Sequence, residues 1–446
     1  MARQFFGTDG IRGRINQKPM TVETALRLSI AAARTFAPDG GRDVIIGRDT
    51  RRSGEMIEAA LVAGLCSMGL TPVRIGVVPT PAVALLTRET GAAFGLMVTA
   101  SHNKATDNGL KLFSPEGVKF SDEVEERLET AMFDAFEGSY AAPDAVVVPR
   151  DMEGAARRYV ERCLETVEQG RDYSKLNIVL DCANGAAFRA APDALRRLGA
   201  NVTVIGVSPD GVNINAGVGS TDTGALVKAV IESGAHIGIA FDGDADRLIV
   251  VDELGREVDG DQVMGLIAGE LHHTGRLKGG GMVATVMSNM GLAEYLKALG
   301  LTLARTKVGD RYVAEHMRAH GFNLGGEQSG HIILSDVSTT GDGLLAALQV
   351  LNVLASSGEK ASSVTRVFEP APQELVNIRY AGTNPLETAR VKDAIAGAEA
   401  MMGEQGRLVV RKSGTEPLIR VMAEALEEGM MKKALNDVVK AVQAEA

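Results

Sequence analysis

Three carboxylates spaced two residues apart, Asp242, Asp244 and Asp246, are the densest chemical signal in the chain. They sit in DGDADR (242–247), directly after the apolar run IGIAF. On a looped backbone that spacing lets all three converge on one point, where they repel unless a cation lies among them. All-oxygen ligation favours a hard ion, Mg²⁺ before others, and three protein ligands leave positions open for a phosphate oxygen. A solvated acidic turn is the plain alternative.

Ser101 is the second signal. It lies in VTASHNKATDNGLKLF (98–113), among small and polar neighbours. The apolar FGLMV (94–98) reads as a buried strand delivering the serine onto a tight loop, and the Asp107-Asn108-Gly109 turn brings Lys111 back towards it. Such a loop can present a hydroxyl to a substrate, although many loop serines only satisfy turn backbone. Three further stretches carry polar groups on glycine-rich loops. In RKSGTEPLIR (411–420), Arg411, the hydroxyls of Ser413 and Thr415 and the backbone N–H groups around Gly414 could cradle a phosphate. In GGEQSGH (325–331), Glu327, Ser329 and His331 alternate between glycines and suit sugar hydroxyls. FGTDGIRG (6–13) places Arg12 in an N-terminal glycine loop.

Composition narrows the partners. The net charge of −10 argues against nucleic acid or an anionic membrane, so an anionic substrate needs a local basic pocket. The candidates for it are Arg12, Arg48, Lys111, Arg247, Arg311, Arg411 and Arg420. No apolar run approaches the ~20 residues of a membrane span, and the N-terminus has no apolar signal region, which together predict a cytoplasmic protein. Cys66, Cys163 and Cys182 sit in apolar surroundings and read as core thiols.

The elements that must position these loops alternate strand and helix. At 446 residues the chain is too long for one core, and roughly three domains are the prior. Helices are predicted over 21–37, 53–69 (with Ser53 as N-cap), 122–133 and 153–167, and strands over 43–49, 72–78 and 94–98. The order restarts near 151 and again near 255, and a proline-containing connector at 367–374 precedes a smaller piece. The resulting division is 1–150, 151–254, 255–368 and 369–446: three similar α/β domains, then a small α+β domain.

FGTDGIRG, TASHN, DGDADR, GEQSGH and RKSGTEP, in that order and over nearly the whole chain, resemble the motifs of the α-D-phosphohexomutase superfamily. The resemblance implies three α/β domains with mixed sheets and a fourth, smaller domain arranged around a central cleft. It implies that Ser101 is phosphorylated and, with Asp242, Asp244 and Asp246, holds one Mg²⁺ per subunit. It gives Glu327, Ser329 and His331 to the sugar, and Arg411, Ser413, Gly414, Thr415 and Arg420 to the phosphate that is not reacting. Asp310 and Arg311 in VGDRYV are similar to the branch acting on glucosamine phosphates, whereas the phosphomannomutase/phosphoglucomutase branch tends to carry His at the first position. The implied reaction interconverts glucosamine 6-phosphate and glucosamine 1-phosphate through glucosamine 1,6-bisphosphate, feeding UDP-N-acetylglucosamine and cell-wall precursors. Arg247 would steady the transferring group, and Lys111, with a lowered pKa, and Arg12 would handle protons and charge. His102 is expected to point away as a structural residue, and Lys104 stands where the superfamily usually has Pro. A sugar phosphatase using the same groups is the nearest rival; a haloacid-dehalogenase nucleophile fits poorly, because that pattern wants Thr or Val at Asp246. A homodimer is the assembly the resemblance admits.

Overall fold

The computed structural model describes residues 4–7, 9–168, 170–382, 384–413 and 418–446. Four sheets follow one another along the chain. The first runs, edge to edge, Phe6–Gly7, Gly10–Arg14, Asp107–Phe113, Phe94–Val98, Asp43–Arg48, Thr71–Val77 and Arg150–Asp151. The second runs Glu257–Val258, Leu248–Asp252, Ile237–Phe241, Asn177–Asp181 and Asn201–Ile205. The third runs Thr302–Thr306, Gly281–Thr285, Leu324–Gly326 and Ile332–Leu334, and the fourth is the antiparallel Gln373–Arg379, Leu418–Ala425, Gly406–Lys412. The expected three α/β units with mixed sheets and a smaller α+β unit are therefore present.

One device recurs. In each of the first three sheets a parallel strand ends, a short polar loop turns, and the next strand returns antiparallel: Phe94–Val98 to Asp107–Phe113, Ile237–Phe241 to Leu248–Asp252, Leu324–Gly326 to Ile332–Leu334. Gly406–Lys412 and Leu418–Ala425 form the same kind of hairpin in the fourth. The loops between these pairs are the four motif loops, so each sheet contributes one loop from the carboxyl end of a strand, where α/β sheets bind ligands.

The helices cover apolar strands. Val22–Phe36 starts at Thr21, whose hydroxyl accepts from Thr24 N at 3.1 Å, and buries Leu28, Ile30 and Ala31 to Ala33. Gly343–Ser357 is apolar nearly all round, which fits its place inside a continuous core that joins the first three sheets, from Ile45 through Phe241 to Leu351. The fourth unit has its own core around Val391, Ile419 and Val438. Among the described residues no helix is long and apolar enough to cross a membrane, and the three cysteines are free.

Two local expectations fail. Ser53 does not cap Gly54–Ser67 with its side chain; its Oγ accepts Asn108 Nδ2 at 2.9 Å instead. Glu257–Val258, expected in the third segment, pairs with Val250 and Val251 as an edge strand of the second sheet. A two-residue strand has too short a pattern to be read locally.

Candidate active site

Ser101 sits at the end of its strand with φ near 51°, a left-handed conformation unusual for serine. Its N–H donates to Thr99 Oγ1 at 2.9 Å, and its carbonyl accepts both Arg51 Nη2 and Asn215 Nδ2 at 2.9 Å. Arg51 is fully buried: it pairs with Asp49 at 2.9 Å and also reaches the carbonyls of Asn103, Lys104 and Asp107. Three side chains, Thr99, Arg51 and Asn215, thus hold the backbone of one strained residue. The strain aims Ser101 Oγ at Asp242 Oδ2, to which it donates over 2.5 Å. It also turns His102 back, so that its Nδ1 lies 3.2 Å from Ser101 Oγ rather than away from it. Burial, with Arg247 and Arg12 nearby, lowers that imidazole to about 4.

The three aspartates converge as their spacing requires: one ligand atom from each lies within 4.8 Å of the others, and all three residues are buried. Gly243 makes this possible, because a Cβ there would stand 2.5 Å from the Ser101 carbonyl oxygen. Asp244 Oδ2 accepts Thr80 Oγ1 at 2.5 Å and Lys111 Nζ at 2.8 Å, and Asp246 Oδ2 accepts Lys111 Nζ at 2.8 Å. Asp244 Oδ1 and Asp246 Oδ1 are buried without a hydrogen-bond partner. Burial and the Asp246 and Asp244 carboxylates push Asp242 well above its ordinary range. Orphaned oxygens and mutually repelling carboxylates fit a hard divalent cation. Burial opposes the charge on Lys111, but Asp244, Asp246 and Asp9 outweigh it and raise the amine well above its ordinary value, the opposite of the lowering expected for a base.

A cavity of about 240 Å³ opens beside this cluster. Asp246 and Arg247 line it from the second sheet, Asp310, Glu327 and His331 from the third, and Arg411, Ser413 and Arg420 from the fourth. Arg411 and Arg420 stand directly opposite each other across two strands, form no ion pair among the described residues, and leave Arg420 Nε buried without a partner. Like charges in that relation destabilise a sheet, and an anion between them removes the cost. Burial and Arg420 lower Arg411 below its usual value. Against burial, Asp310 and Asp246 push His331 up to about 10; its ring nitrogens lie 3.1 Å from Asp310 and 3.7 Å from Asp246. Gly330, with φ near 89°, lets this loop meet the second sheet: its Cβ would fall 2.0 Å from the Leu248 carbonyl oxygen.

Among the other expected residues, several do not line the cavity. Arg311 turns away and pairs at 2.5 Å with Asp122 and Glu125 of the first segment. Ser329 is exposed and does not line the cavity. Arg12 pairs with Asp9. Gly414 and Thr415 lie outside the described residues. Sequence reasoning missed Asp9 and Lys119, which with Asp310 and Lys111 form a buried ion chain between the first and third segments. Their only signal was a charge inside an otherwise apolar or glycine-rich stretch.

The phosphoglucomutase/phosphomannomutase family matches the chain in four parts: its α/β/α domains I, II and III at residues 3–138, 157–255 and 259–370, and its C-terminal domain at 375–441. The chain belongs to this family. It is 74% identical over 446 residues to the phosphoglucosamine mutase of Hyphomonas neptunium, covering 100% of this chain and 99% of that one. It is 54% identical to the phosphoglucosamine mutase of Caulobacter vibrioides, with 99% of each covered. In fold it resembles a phosphoglucomutase/phosphomannomutase family protein from Burkholderia thailandensis, with TM-score 0.83, 24% identity and 98% and 97% of the two chains covered. It also resembles the Aspergillus fumigatus N-acetylphosphoglucosamine mutase, solved with GlcNAc-6P and magnesium, with TM-score 0.65, 20% identity and 99% and 96% covered.

Proposed function

We propose that this chain interconverts glucosamine 6-phosphate and glucosamine 1-phosphate, with Ser101 as the phosphoryl carrier. The observation that carries the reading is the 2.5 Å contact of Ser101 Oγ with Asp242, beside a cavity whose far wall holds the Arg411–Arg420 pair. The metal loop that Ser101 touches, through Asp246 and Arg247, and a separate anion site line one space the size of a sugar phosphate. That is what a reaction needs if the same phosphate site must accept either end of the sugar.

Asp242, Asp244, Asp246 and the phosphate on Ser101 would hold one Mg²⁺, which when bound offsets the phosphoserine charge of about −1.5 to −2. Phospho-Ser101 gives its phosphoryl group to the 1-hydroxyl of glucosamine 6-phosphate. Its own P–O bond breaks as a new one forms at the sugar oxygen, the hydroxyl proton ends on Ser101 Oγ, and glucosamine 1,6-bisphosphate results. After the bisphosphate turns over in the cavity, its 6-phosphate returns to Ser101 and glucosamine 1-phosphate leaves. Arg247 steadies the transferring group, while Lys111 and Arg12 balance charge around Asp244 and Asp246. Arg411, Ser413 and Arg420 hold the idle phosphate, and Glu327 and His331 face the sugar hydroxyls. Asp310, held by Lys119 and His331, lines the amino-sugar side of the cavity. On this reading the enzyme works in the cytoplasm.

The test is product analysis with purified protein, Mg²⁺ and a trace of glucosamine 1,6-bisphosphate. Glucosamine 6-phosphate should convert to the 1-phosphate without release of inorganic phosphate, faster than glucose or mannose 6-phosphate. Steady release of inorganic phosphate would assign a phosphatase instead, and preference for mannose would move the chain to the other branch.

A further inference from the structure

A second space lies between the first two segments. It is a groove of about 890 Å³ that shares no lining residue with the cavity beside the aspartates. Its wall includes the outer part of the serine loop, residues 104–106. Arg14, Arg52 and Lys104 are exposed around it, and none has a carboxylate within ion-pair distance among the described residues. Asp222 is its one acidic residue. In a chain of net charge −10, three cations without partners at one groove are a local reversal of sign that concentrates anions. The groove is also apolar in part: Met56 and Val212, 37% and 53% exposed, face water there. A bare phosphate would leave those side chains wet, and an apolar molecule would leave the cations unpaired.

We propose that this groove binds a nucleotide, with the phosphates on Arg14, Arg52 and Lys104 and the flat base over Met56 and Val212. The volume lies within the several hundred to about 1,000 Å³ typical of small-molecule sites. Planar guanidinium groups suit phosphate oxygens. Lys104 thereby gains a role at the position where the superfamily usually has Pro. The site touches the serine loop through Asn215, which lines the groove, donates to the carbonyls of Ser101 and Asn103 at 2.9 and 3.1 Å, and leaves its Oδ1 buried without a partner. A ligand seated on Asn215 and Lys104 therefore bears on the backbone that aims Ser101. The inference is independent of the proposed reaction, because it is read by binding.

The experiment is calorimetric titration of ADP into the full chain, with adenosine and inorganic phosphate as partial probes. ADP should bind with submillimolar affinity and each partial probe far more weakly. The double variant R52E/K104E, which alters only exposed side chains, should keep the wild-type circular dichroism spectrum and lose at least about tenfold in ADP affinity. Saturating glucosamine 6-phosphate should not displace ADP, and ADP should slow amide exchange in 103–106 and 211–217. No ADP binding overturns the proposal, as does unchanged affinity in the double variant, displacement by the sugar phosphate, or inorganic phosphate binding as tightly as ADP. A second copy of the chain filling the groove would appear as absence of binding.

Discussion

Arg51 Nη2 donates to the Ser101 carbonyl oxygen at 2.9 Å from a guanidinium with no solvent exposure. One side chain closes the serine loop by reaching four of its carbonyls, while its charge is balanced by Asp49 alone. Arg51→Ala would strip the buried Asp49 carboxylate of its counter-charge and four loop carbonyls of the donor they share, a loss of about 3–5 kcal/mol. The thermal midpoint should fall by many degrees. Arg51→Lys keeps the charge but cannot serve four carbonyls, so it should recover part of the stability and little of the turnover. Full activity in Arg51→Lys would show that the loop does not depend on the bracket.

Gly243→Ala tests the approach of the two loops separately from stability. The added methyl would lie 2.5 Å from the Ser101 carbonyl oxygen, so the serine must back away from Asp242. A displacement of this order is expected to cost kcat roughly a hundredfold, with KM for the sugar phosphate little changed. Unaltered kcat would mean that the contact is not the productive one.

Arg411→Ala and Arg420→Ala should act on binding. Each charge-assisted hydrogen bond to a phosphate contributes about 1.5–3 kcal/mol, so KM should rise roughly ten- to a hundredfold while kcat changes less. Because the two arginines repel in the unliganded protein, removing one should leave the thermal midpoint unchanged or slightly raised. A large loss of stability would show that they hold the sheet rather than an anion.

Asp261 supplies a pH test away from the site. Burial, with the Asp259 and Glu424 carboxylates nearby, pushes its carboxyl up to about 7, although Asn289 N donates to it at 2.8 Å. The folded protein therefore binds a proton here that the unfolded chain has released above its ordinary carboxylate range. Stability from this group is full below about pH 4 and is lost as pH rises to about 7, on the order of 1.4 kcal/mol per unit of difference. Asp261→Asn should flatten the fall in thermal midpoint between pH 5 and 7 that the wild type shows. Parallel curves for the two proteins would contradict the assignment.

The four loops were legible because each is a polar, glycine-rich stretch behind an apolar strand, and that local contrast survives in the sequence. What the first three loops share, an antiparallel return after a parallel strand, was not legible, since strand direction is a long-range property. Arg311 was misplaced for a geometric reason: it follows Asp310 on the helix Asp310–His320, and neighbours on a helix point about 100° apart, so only Asp310 lines the cavity. His102 went wrong in the opposite sense, because a left-handed Ser101 cannot be foreseen from residue type. Lys111 was expected to lose its proton readily, but its partners Asp244 and Asp246 lie more than 130 positions along the chain. Asp9 and Lys119 show only as lone charges in apolar or glycine-rich stretches; their pairing across 110 positions, and that of Lys119 with Asp310 of the third segment, comes from packing.

The central claim is that the Ser101 oxygen carries the phosphate, and phosphopeptide mapping tests it most directly. Protein incubated with glucosamine 1,6-bisphosphate and Mg²⁺ should gain one phosphate, confined to the peptide spanning 98–104, and Ser101→Ala should gain none while remaining folded and inactive. A phosphate found on another residue, or an alanine variant that still turns over at the wild-type rate, would contradict the account.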